Sequence, residues 1–277
     1  MQNGYIMKTI NEQIILITGS TDGIGKLTAL QLAKQNAHVL IHGRNKEKVA
    51  GVVKELKRTS KNNNIEGYVA DFSSLSEVRR LAELVQSKYA SLDVLVNNAA
   101  IAVSKPRLSE DGYELQFAVN YLAPFLFTSL LLPALRNAAP ARIVNVSSIG
   151  QREIDFDNIM LERDFEDAKA YRQSKLALIM FTFDLAEQLK NENITVNSLH
   201  PGTYLNTNMV RNLNITPLGE PESGAEAVAH LSVSESVSGV TGKYFNVKTE
   251  SRANSQAYDI QARKQLRDLS LLLTGLK

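Results

Sequence analysis

The chain has 277 residues, 44% of them hydrophobic and 22% charged, a balance typical of a folded protein with a sizeable core. Its 31 basic and 29 acidic residues give a net charge of +2, which argues against nucleic-acid binding. The absence of cysteine excludes disulfides, thiolate catalysis and cysteine-bound metals, and it fits the cytoplasmic location that we expect.

Neither the start of the chain nor its most apolar run predicts a targeting or membrane segment. The stretch MQNGYIMKTINEQ lacks an apolar run long enough for a signal peptide. Residues 121–135 form an apolar run of 15 residues that contains Pro124 and Pro133, whereas a membrane span needs about 20 residues. We therefore expect no membrane span and interpret this run as a buried helix.

Short runs rich in valine and isoleucine alternate along the chain with longer segments of helical periodicity. Consecutive apolar positions are typical of strands buried on both faces. The predicted strands are 14–18, 38–42, 67–70, 93–97, 142–146, 194–199 and 243–247, and helical spacing is clearest at 24–36, 75–90, 112–135 and 171–190. The alternation predicts one α/β domain over residues 1–277, with a doubly wound parallel sheet of about seven strands and helices on both faces. Residues 248–277 are interpreted as a peripheral helix.

A glycine-rich loop joins the first predicted strand to the first helix. The strand ends in ITGSTDGIGK, which contains Gly19, Gly23 and Gly25. Such a loop makes a tight turn, lets the backbone approach a pyrophosphate, and places the phosphates at the positive end of the helix. The spacing Gly-x3-Gly-x-Gly differs from the usual pattern, but the strand before it and the helix after it favour a Rossmann-type dinucleotide site. The alternative is a glycine-rich turn without a ligand.

The end of the second predicted strand indicates which nicotinamide nucleotide would bind. An NAD-specific site usually has an acidic residue here, which holds the ribose 2′-hydroxyl. This chain has Gly43, Arg44 and Asn45, and the nearest acid is Glu47. A guanidinium group can pair with two oxygens of a 2′-phosphate. The sequence therefore favours NADP, with NADPH preferred over NADH, and the alternative is that Arg44 is a solvated surface residue.

Seven motifs in order resemble the short-chain dehydrogenases/reductases, and the resemblance covers nearly the whole chain. They are TGSTDGIG (18–25), VADFSS (69–74), NNAA (97–100, with Ala100 in place of the family's glycine), FAVN (117–120), IVNVSS (143–148), YRQSK (171–175) and HPG (200–202). The 23-position separation of Ser148 and Tyr171 is similar to the retinol-dehydrogenase-like branch. By this resemblance, the nucleotide contacts are Gly19, Ser20, Thr21, Gly23, Ile24, Gly25, Arg44, Asn45, Asp71 (to the adenine), Phe72, Asn98, Ala99, Tyr171, Lys175, Pro201 and Gly202.

The resemblance further implies that the nicotinamide supplies a hydride while Tyr171 supplies the proton. Bringing a tyrosine pKa from about 10 to about 7 requires roughly 4 kcal/mol. A cation about 4 Å away provides that order of energy at an effective dielectric near 20, and residues four apart on a helix share a face. We therefore expect Lys175 to lower the pKa of Tyr171. Tyr244 and Lys248 have the same spacing but lie in or just after a predicted strand, so we interpret Tyr244 as a packing residue.

The resemblance assigns three further polar residues to the catalytic group. Ser148 holds the substrate oxygen, with Ser147 as the competing assignment, Asn120 positions a water that links Lys175 to solvent, and Lys175 also binds the nicotinamide ribose. Taken singly, the serine could be a cap and the asparagine a polar group inside a helix. His200 is interpreted as structural, and no metal site is expected because no histidine pair has ligand spacing.

These observations predict an NADP(H)-dependent oxidoreductase that interconverts a carbonyl and an alcohol on an apolar small molecule. The expected apolar lining of the substrate site is Tyr204, Leu205, Met209, Val210, Leu213 and Ile215. Two alternatives stay open: a catalytically silent NADP-binding regulatory protein, and a family enzyme of different chemistry such as dehydration or epimerisation. The acidic insert 153–167 is interpreted as solvated. A homodimer or homotetramer is expected, since helix 171–190 is apolar around much of its circumference.

Overall fold

Among residues 8–276, which the computed structural model describes, eight strands form one sheet in the order β3-β2-β1-β4-β5-β6-β7-β8. Their bounds are Ile14–Ile17 (β1), His38–Gly43 (β2), Ile65–Val69 (β3), Val94–Asn97 (β4), Ala141–Val146 (β5), Ile194–His200 (β6), Lys243–Asn246 (β7) and Thr249–Ser251 (β8). The first seven strands pair in parallel, which confirms the predicted α/β sheet. The eighth strand was not predicted: it returns antiparallel to β7, and its three exposed residues carry no hydrophobic pattern.

Helices cover both faces of the sheet. They are Gly23–Ala33 (α1), Lys46–Ser60 (α2), Leu75–Lys88 (α3), Leu115–Ala138 (α4), Asp167–Gln188 (α5), Asn208–Asn212 (α6), Pro221–Val233 (α7) and Ile260–Thr274 (α8). Strand side chains alternate between the two faces, as the pleat requires. In β1, Leu16 packs with α3, α4 and α5, whereas Ile15 and Ile17 pack with α1, α2 and α7. Both layers are therefore needed to bury the strands.

The helix α4 contains the apolar run noted in the sequence. It is the one helix in the described part of the chain that is long and apolar enough to cross a membrane, with a mean hydropathy of 1.6 over its best window. However, 78% of that window is buried inside the protein. Leu126 and Phe127 are fully buried, and Phe125 packs against Phe181 with ring centroids 5.2 Å apart. The helix is thus a core element, as its sequence was interpreted.

The apolar residues of α5 are buried within a single chain. Leu176, Ile179 and Met180 are 0% exposed, and Phe181 and Phe183 are 6% exposed. The helix lies between the sheet, α4 and the C-terminal segment, and together these cover most of its circumference. Its composition therefore requires no second subunit, and the expected homodimer or homotetramer stays a prediction.

The C-terminal segment, interpreted as a peripheral helix, is attached to the body by buried contacts. It contains β8 and α8, and α8 places Ala262 and Leu266 in the core. Ser270 shares a hydrogen bond of 2.6 Å with the hydroxyl of Tyr121, and the hydroxyl of Tyr113 donates to the carbonyl oxygen of Leu273 at 2.9 Å. The segment thus belongs to the packed structure of the domain.

Candidate active site

The predicted site residues follow the carboxyl ends of the parallel strands. The strand order reverses between β1 and β4, and in open α/β sheets ligands bind at such a switch point. A cavity of about 550 Å³ lies along this edge, within the size range of small-molecule sites. Thirteen predicted nucleotide-site residues line it, namely Gly19, Thr21, Gly23, Ile24, Gly25, Arg44, Asp71, Phe72, Asn98, Ala99, Tyr171, Lys175 and Pro201.

The glycine loop packs tightly against the residues after β4. A Cβ atom at Gly25 would lie 2.4 Å from the Nδ2 atom of Asn98, and one at Gly19 would lie 2.6 Å from the Cα atom of Ala99. The Asn98 amide donates to the carbonyl oxygens of Thr18 and Gly19, at 2.9 and 3.0 Å, and so holds the turn in place. The N-terminus of α1 then faces the cavity, as a pyrophosphate site requires.

Sequence reasoning missed His42, which also lines the cavity. Its Nδ1 atom accepts a hydrogen bond of 3.2 Å from the Gly19 amide, and its Nε2 atom lies 3.0 Å from the Ala70 carbonyl oxygen. The ring stacks on Phe72 with centroids 4.4 Å apart. Burial lowers the pKa of His42 to about 4, so the ring is neutral and donates from Nε2. The available signal was a polar residue inside the apolar run HVLIH.

Arg44 is exposed and lines the cavity. In the described part of the chain, no carboxylate lies within 4.0 Å of its guanidinium group. The neighbouring Lys48 instead pairs with Asp22 at 3.1 Å, and the other oxygen of Asp22 caps α1 at the Gly23 amide. Arg44 is thus a cavity-lining cation that is available to an anionic ligand.

Three predicted nucleotide contacts do not line the cavity. The Ser20 hydroxyl is buried, donating to the Ile17 carbonyl oxygen at 2.6 Å and accepting from the His42 amide at 3.0 Å. Asn45 caps α2, since its Oδ1 atom accepts from the Lys48 amide at 2.7 Å. Gly202 has a φ of +143°, and its neighbour Pro201 lines the cavity in its place. Ser20 and Asn45 shape the loops that carry the lining residues.

Tyr171 and Lys175 lie on one face of α5 and line the cavity. The Lys175 Nζ atom is 5.7 Å from the centroid of the Tyr171 ring, and it donates a hydrogen bond of 2.9 Å to the Val146 carbonyl oxygen. Lys175 is 2% exposed. The predicted proximity of the two side chains is therefore present in the structure.

The expected direction of the Tyr171 pKa shift is wrong for the protein alone. Burial raises the pKa of Tyr171, and a hydrogen bond from the Ser148 hydroxyl acts in the opposite direction without cancelling this effect. Burial also lowers the pKa of Lys175 to about 7. The prediction from the sequence included the attraction between the Tyr171 phenolate and the Lys175 ammonium group. It did not include their desolvation, which disfavours both charged forms.

The structure distinguishes the two serines after β5. The Ser147 hydroxyl is buried and donates to the Lys175 carbonyl oxygen at 2.7 Å, so it ties β5 to α5. The Ser148 hydroxyl accepts from the Gly150 amide at 3.0 Å, which leaves its own hydrogen free to point elsewhere. The Ser148 hydroxyl also interacts with the phenol of Tyr171. Ser147 lines the cavity and Ser148 is not among its lining residues, but the hydrogen of the Ser147 hydroxyl is already donated, so the hydrogen bonding favours Ser148 as the group that contacts a substrate oxygen.

Asn120 lies in a π-helical segment (Ala118–Leu122) of α4 and is not among the residues that line the cavity. It is fully buried, and its amide exchanges two hydrogen bonds with the backbone of Ile101, at 2.8 and 3.0 Å. It also donates to the Ser174 hydroxyl at 3.0 Å. Asn120 thus links the loop after β4 to α5 beside the Tyr171–Lys175 pair, and its predicted water-positioning role stays a prediction.

The predicted apolar lining differs from that in the structure. Of the six residues named, Met209 lines this cavity, whereas Leu205 is 6% exposed and packs on Gly202 and Gly224. Tyr204 is 45% exposed. The apolar wall comes instead from the loop after β4 and from α4, with Ala100, Ile101, Ala102, Val103, Leu115 and Val119.

The remaining candidates keep structural roles. His200 is 5% exposed, its Nε2 atom lies 3.0 Å from the Thr203 hydroxyl, and burial lowers its pKa to about 4. Lys248 pairs with Glu226 at 3.3 Å and is not associated with Tyr244. Within residues 8–276, no group of three or more histidine, aspartate or glutamate side chains could hold a metal ion.

The family model described as short chain dehydrogenase matches residues 13–217. The chain belongs to this family. It is 35% identical to retinol dehydrogenase 13 of Mus musculus over 97% of this chain and 85% of that protein. It is also 35% identical to retinol dehydrogenase 14 of Homo sapiens, over 95% and 86% of the two chains. The resemblance to the retinol-dehydrogenase-like branch is thereby confirmed.

Solved structures of other proteins show the same fold. An uncharacterised protein from Mycobacterium Paratuberculosis superposes with a TM-score of 0.79 at 27% identity, over 97% of this chain and 96% of that one. The Pseudomonas aeruginosa RhlG/NADP active-site complex superposes with a TM-score of 0.69 at 29% identity, over 87% and 97%. This short-chain dehydrogenase is accordingly an NAD(P)-dependent oxidoreductase that acts on CH–OH groups and the corresponding carbonyls.

Proposed function

We propose that this short-chain dehydrogenase is an NADPH-dependent reductase of apolar aldehydes or ketones. The observation that carries the proposal is that one cavity is lined by Tyr171 and Lys175, with the Ser148 hydroxyl hydrogen-bonded to the phenol, and also by the glycine loop and Arg44, which follow β1 and β2. In this fold a bound dinucleotide lies across the crevice at the strand ends, with its phosphates at the helix N-terminus.

The residues along the cavity fit a nicotinamide nucleotide. A Cβ atom at Gly19 or Gly25 would clash with Ala99 or Asn98, so the packing of the loop requires glycine at both positions. Gly19, Gly23 and Gly25 line the cavity, where a phosphate can approach their backbone. When bound, the reduced nicotinamide supplies the hydride that adds to the carbonyl carbon. Lys175 lies beside the Tyr171 ring at the same end of the cavity, where its ammonium group can donate to a ribose hydroxyl.

Tyr171 is the proposed general acid. Because burial raises its pKa, the phenol is protonated at neutral pH and can donate its proton to the carbonyl oxygen as negative charge develops there. The Ser148 hydroxyl, with its acceptor side occupied by the Gly150 amide, donates to the same oxygen and stabilises that charge. A protonated phenol suits reduction of a carbonyl better than oxidation of an alcohol, which requires a base.

Arg44 supports the preference for NADPH over NADH. Its guanidinium group has no carboxylate partner in residues 8–276, and no acid occupies the strand end that would hold a ribose 2′-hydroxyl. A 2′-phosphate would supply the missing anion through charge-assisted hydrogen bonds. Asp22, the acid of the glycine loop, is neutralised by Lys48 and so does not repel that phosphate.

The apolar wall supports the substrate class. Ile101, Val103, Leu115, Val119 and Met209 line the cavity and present hydrocarbon to a bound molecule. Burial of a substrate's apolar surface there contributes about 25 cal/mol per Å². The relatives are named retinol dehydrogenases, after an apolar alcohol. We propose that this chain acts on the same class of substrate, apolar alcohols and the corresponding carbonyls.

The proposal is tested by following NADPH oxidation with a panel of carbonyl compounds of graded polarity. We expect turnover to increase with chain length of aliphatic aldehydes, and Tyr171→Phe to lower kcat by about 10²–10⁴-fold with unchanged NADPH binding. Tyr258→Phe is the matched control, since that tyrosine is exposed and lies outside the cavity. Turnover of charged substrates alone would overturn the substrate class, and turnover unaffected by Tyr171→Phe would overturn the mechanism.

A further inference from the structure

The turn that carries Ser148 is held from outside by residues far along the chain. The Ser148 carbonyl oxygen accepts two hydrogen bonds, one of 3.1 Å from the Tyr244 hydroxyl on β7 and one of 3.1 Å from the Gln151 side chain. Ser148 and Tyr244 are 96 residues apart in sequence. Tyr244 is 2% exposed, so its hydroxyl reaches the turn from the protein interior.

The C-terminal segment continues this attachment beyond Ser148. The Gln151 Oε1 atom accepts from the Asn254 amide at 2.7 Å, so the side chain that donates to Ser148 is itself fixed. The Gln256 side chain makes two hydrogen bonds with the backbone of Ile154. Its Oε1 atom accepts from the Ile154 amide at 2.7 Å, and its Nε2 atom donates to the Ile154 carbonyl oxygen at 3.1 Å. The segment from Ser148 to Ile154 is therefore tied to the C-terminal segment by three hydrogen bonds, which come from Asn254 and Gln256.

On its other side the Ser148 turn is anchored through Ser147, whose amide donates to the Leu199 carbonyl oxygen at 2.7 Å and whose hydroxyl donates to the Lys175 carbonyl oxygen at 2.7 Å. Ile149 is 54% exposed, so apolar packing does not hold the next residue, and the turn lies between β5 and the insert that precedes α5. The Gly150 amide orients the Ser148 hydroxyl within the turn but does not fix the turn on the body of the protein. Together with the anchoring of Ser147, the two bonds to the Ser148 carbonyl oxygen set where the Ser148 hydroxyl lies relative to Tyr171.

We propose that Tyr244 is a positioning residue for Ser148, and that Gln151 and Gln256 complete a clamp through which the C-terminal segment orients the active-site serine. The inference rests on the proposed function, since it takes Ser148 as the group that contacts the substrate oxygen. Tyr244 acts as a donor throughout the neutral range, because burial raises its pKa to about 12. It touches neither substrate nor nucleotide in this scheme, and it is absent from the cavity lining.

The test is a double-mutant cycle with Tyr244→Phe and Ser148→Ala. If Tyr244 acts through Ser148, Tyr244→Phe lowers kcat of the parent by about 5–30-fold, the effect expected from losing one hydrogen bond that positions a catalytic group. In the Ser148→Ala background the same substitution then has almost no further effect on kcat. Binding of NADPH, followed by its fluorescence, stays unchanged. An equal loss in both backgrounds, or no loss in the parent, would overturn the inference.

A second readout separates positioning from general destabilisation. The Ser148 hydroxyl lowers the pKa of Tyr171, so a variant that displaces this hydroxyl raises the pKa of the phenol. Reduction requires the protonated phenol, so the pH at which kcat begins to fall shifts to a higher value. We expect this shift in Tyr244→Phe and Gln256→Ala at temperatures where both are folded. Tyr258→Phe is the control, since its hydroxyl accepts from the Ala253 amide in the same segment without reaching the turn. An unshifted profile in both clamp variants would contradict the proposal.

The outcomes also distinguish this inference from the proposed function. If Ser148→Ala leaves carbonyl reduction unchanged, the proposed role of the serine fails, and the clamp is overturned with it because it acts through that serine. If Ser148→Ala impairs reduction while Tyr244→Phe and Gln256→Ala do not, the proposed function stands and the clamp is wrong.

Discussion

The Nζ atom of Lys175 lies 5.7 Å from the centroid of the Tyr171 ring, and it donates its hydrogen bond to the backbone at Val146 rather than to the phenol. The pair therefore shares a helix face without forming a direct bond. Burial acts on both groups, raising the pKa of Tyr171 and lowering that of Lys175 to about 7. Desolvation is thus the dominant electrostatic effect at this site in the protein alone.

The depressed pKa of Lys175 predicts a pH-dependent stability of the nucleotide-free protein. An unfolded lysine titrates near 10.4, so between about pH 7 and that value the unfolded chain binds one more proton than the folded chain. The free energy of unfolding accordingly rises with pH in this window, by at most about 1.4 kcal/mol per unit. Urea unfolding of the parent and Lys175→Met at pH 7, 8 and 9 measures it. Parallel curves for the two proteins would contradict the predicted burial of the ammonium group.

His42 predicts a second pH effect, on the acidic side. Its folded-state pKa is about 4 and its unfolded value is near 6.5, so the unfolded chain binds the extra proton between these values. Stability therefore falls as the pH is lowered from 6.5 to 4. We expect His42→Gln to reduce this loss, which thermal unfolding between pH 4 and 7 would detect. His200 has a similarly lowered pKa and contributes its own share, so His200→Gln serves as the parallel comparison.

Arg44 predicts the nucleotide preference. Loss of a charge-assisted hydrogen bond costs about 1.5–3 kcal/mol, so Arg44→Gln should lower kcat/KM for NADPH by about 10–100-fold and leave that for NADH nearly unchanged. Steady-state kinetics with both nucleotides measures the ratio. Lys54→Ala is the charge-matched control, since that exposed lysine lies on α2 outside the cavity lining. Equal losses for NADPH and NADH would mean that Arg44 does not read the 2′-phosphate.

Substitution of glycine by alanine is expected to weaken nucleotide binding at Gly25 and to stabilise the protein at Gly51. At Gly25 a Cβ atom would lie 2.4 Å from Asn98 Nδ2 and 2.6 Å from the Gly19 carbonyl oxygen, so Gly25→Ala should distort the loop and weaken nucleotide binding at least tenfold. At Gly51, within α2, nothing lies within 4 Å of the added atom. Gly51→Ala should raise the unfolding free energy by about 0.5–1 kcal/mol through helix propensity. Nucleotide titration and thermal unfolding of both variants test the pair.

Local patterns along the chain were sufficient to predict the seven parallel strands, and the family resemblance named thirteen of the residues that line the cavity. Apolar runs such as IILIT identified seven parallel strands, because strands buried on both faces must be apolar at consecutive positions. The helix α2 was not singled out, since VAGVV is followed by KELKRTS and its apolar face is short. The exposed strand Thr249–Ser251 was missed because none of its residues is buried.

The order of motifs along the chain determined the family, the glycine loop and the pairing of Tyr171 with Lys175, because each depends on residues close in sequence. Tertiary structure alone decided which serine is free, where the apolar wall lies and how the C-terminal segment holds Ser148. These depend on hydrogen bonds between residues as many as 103 positions apart. It also decided the direction of the Tyr171 pKa shift, since the cost of removing a phenol from water follows from the atoms that surround it, and spacing does not specify them.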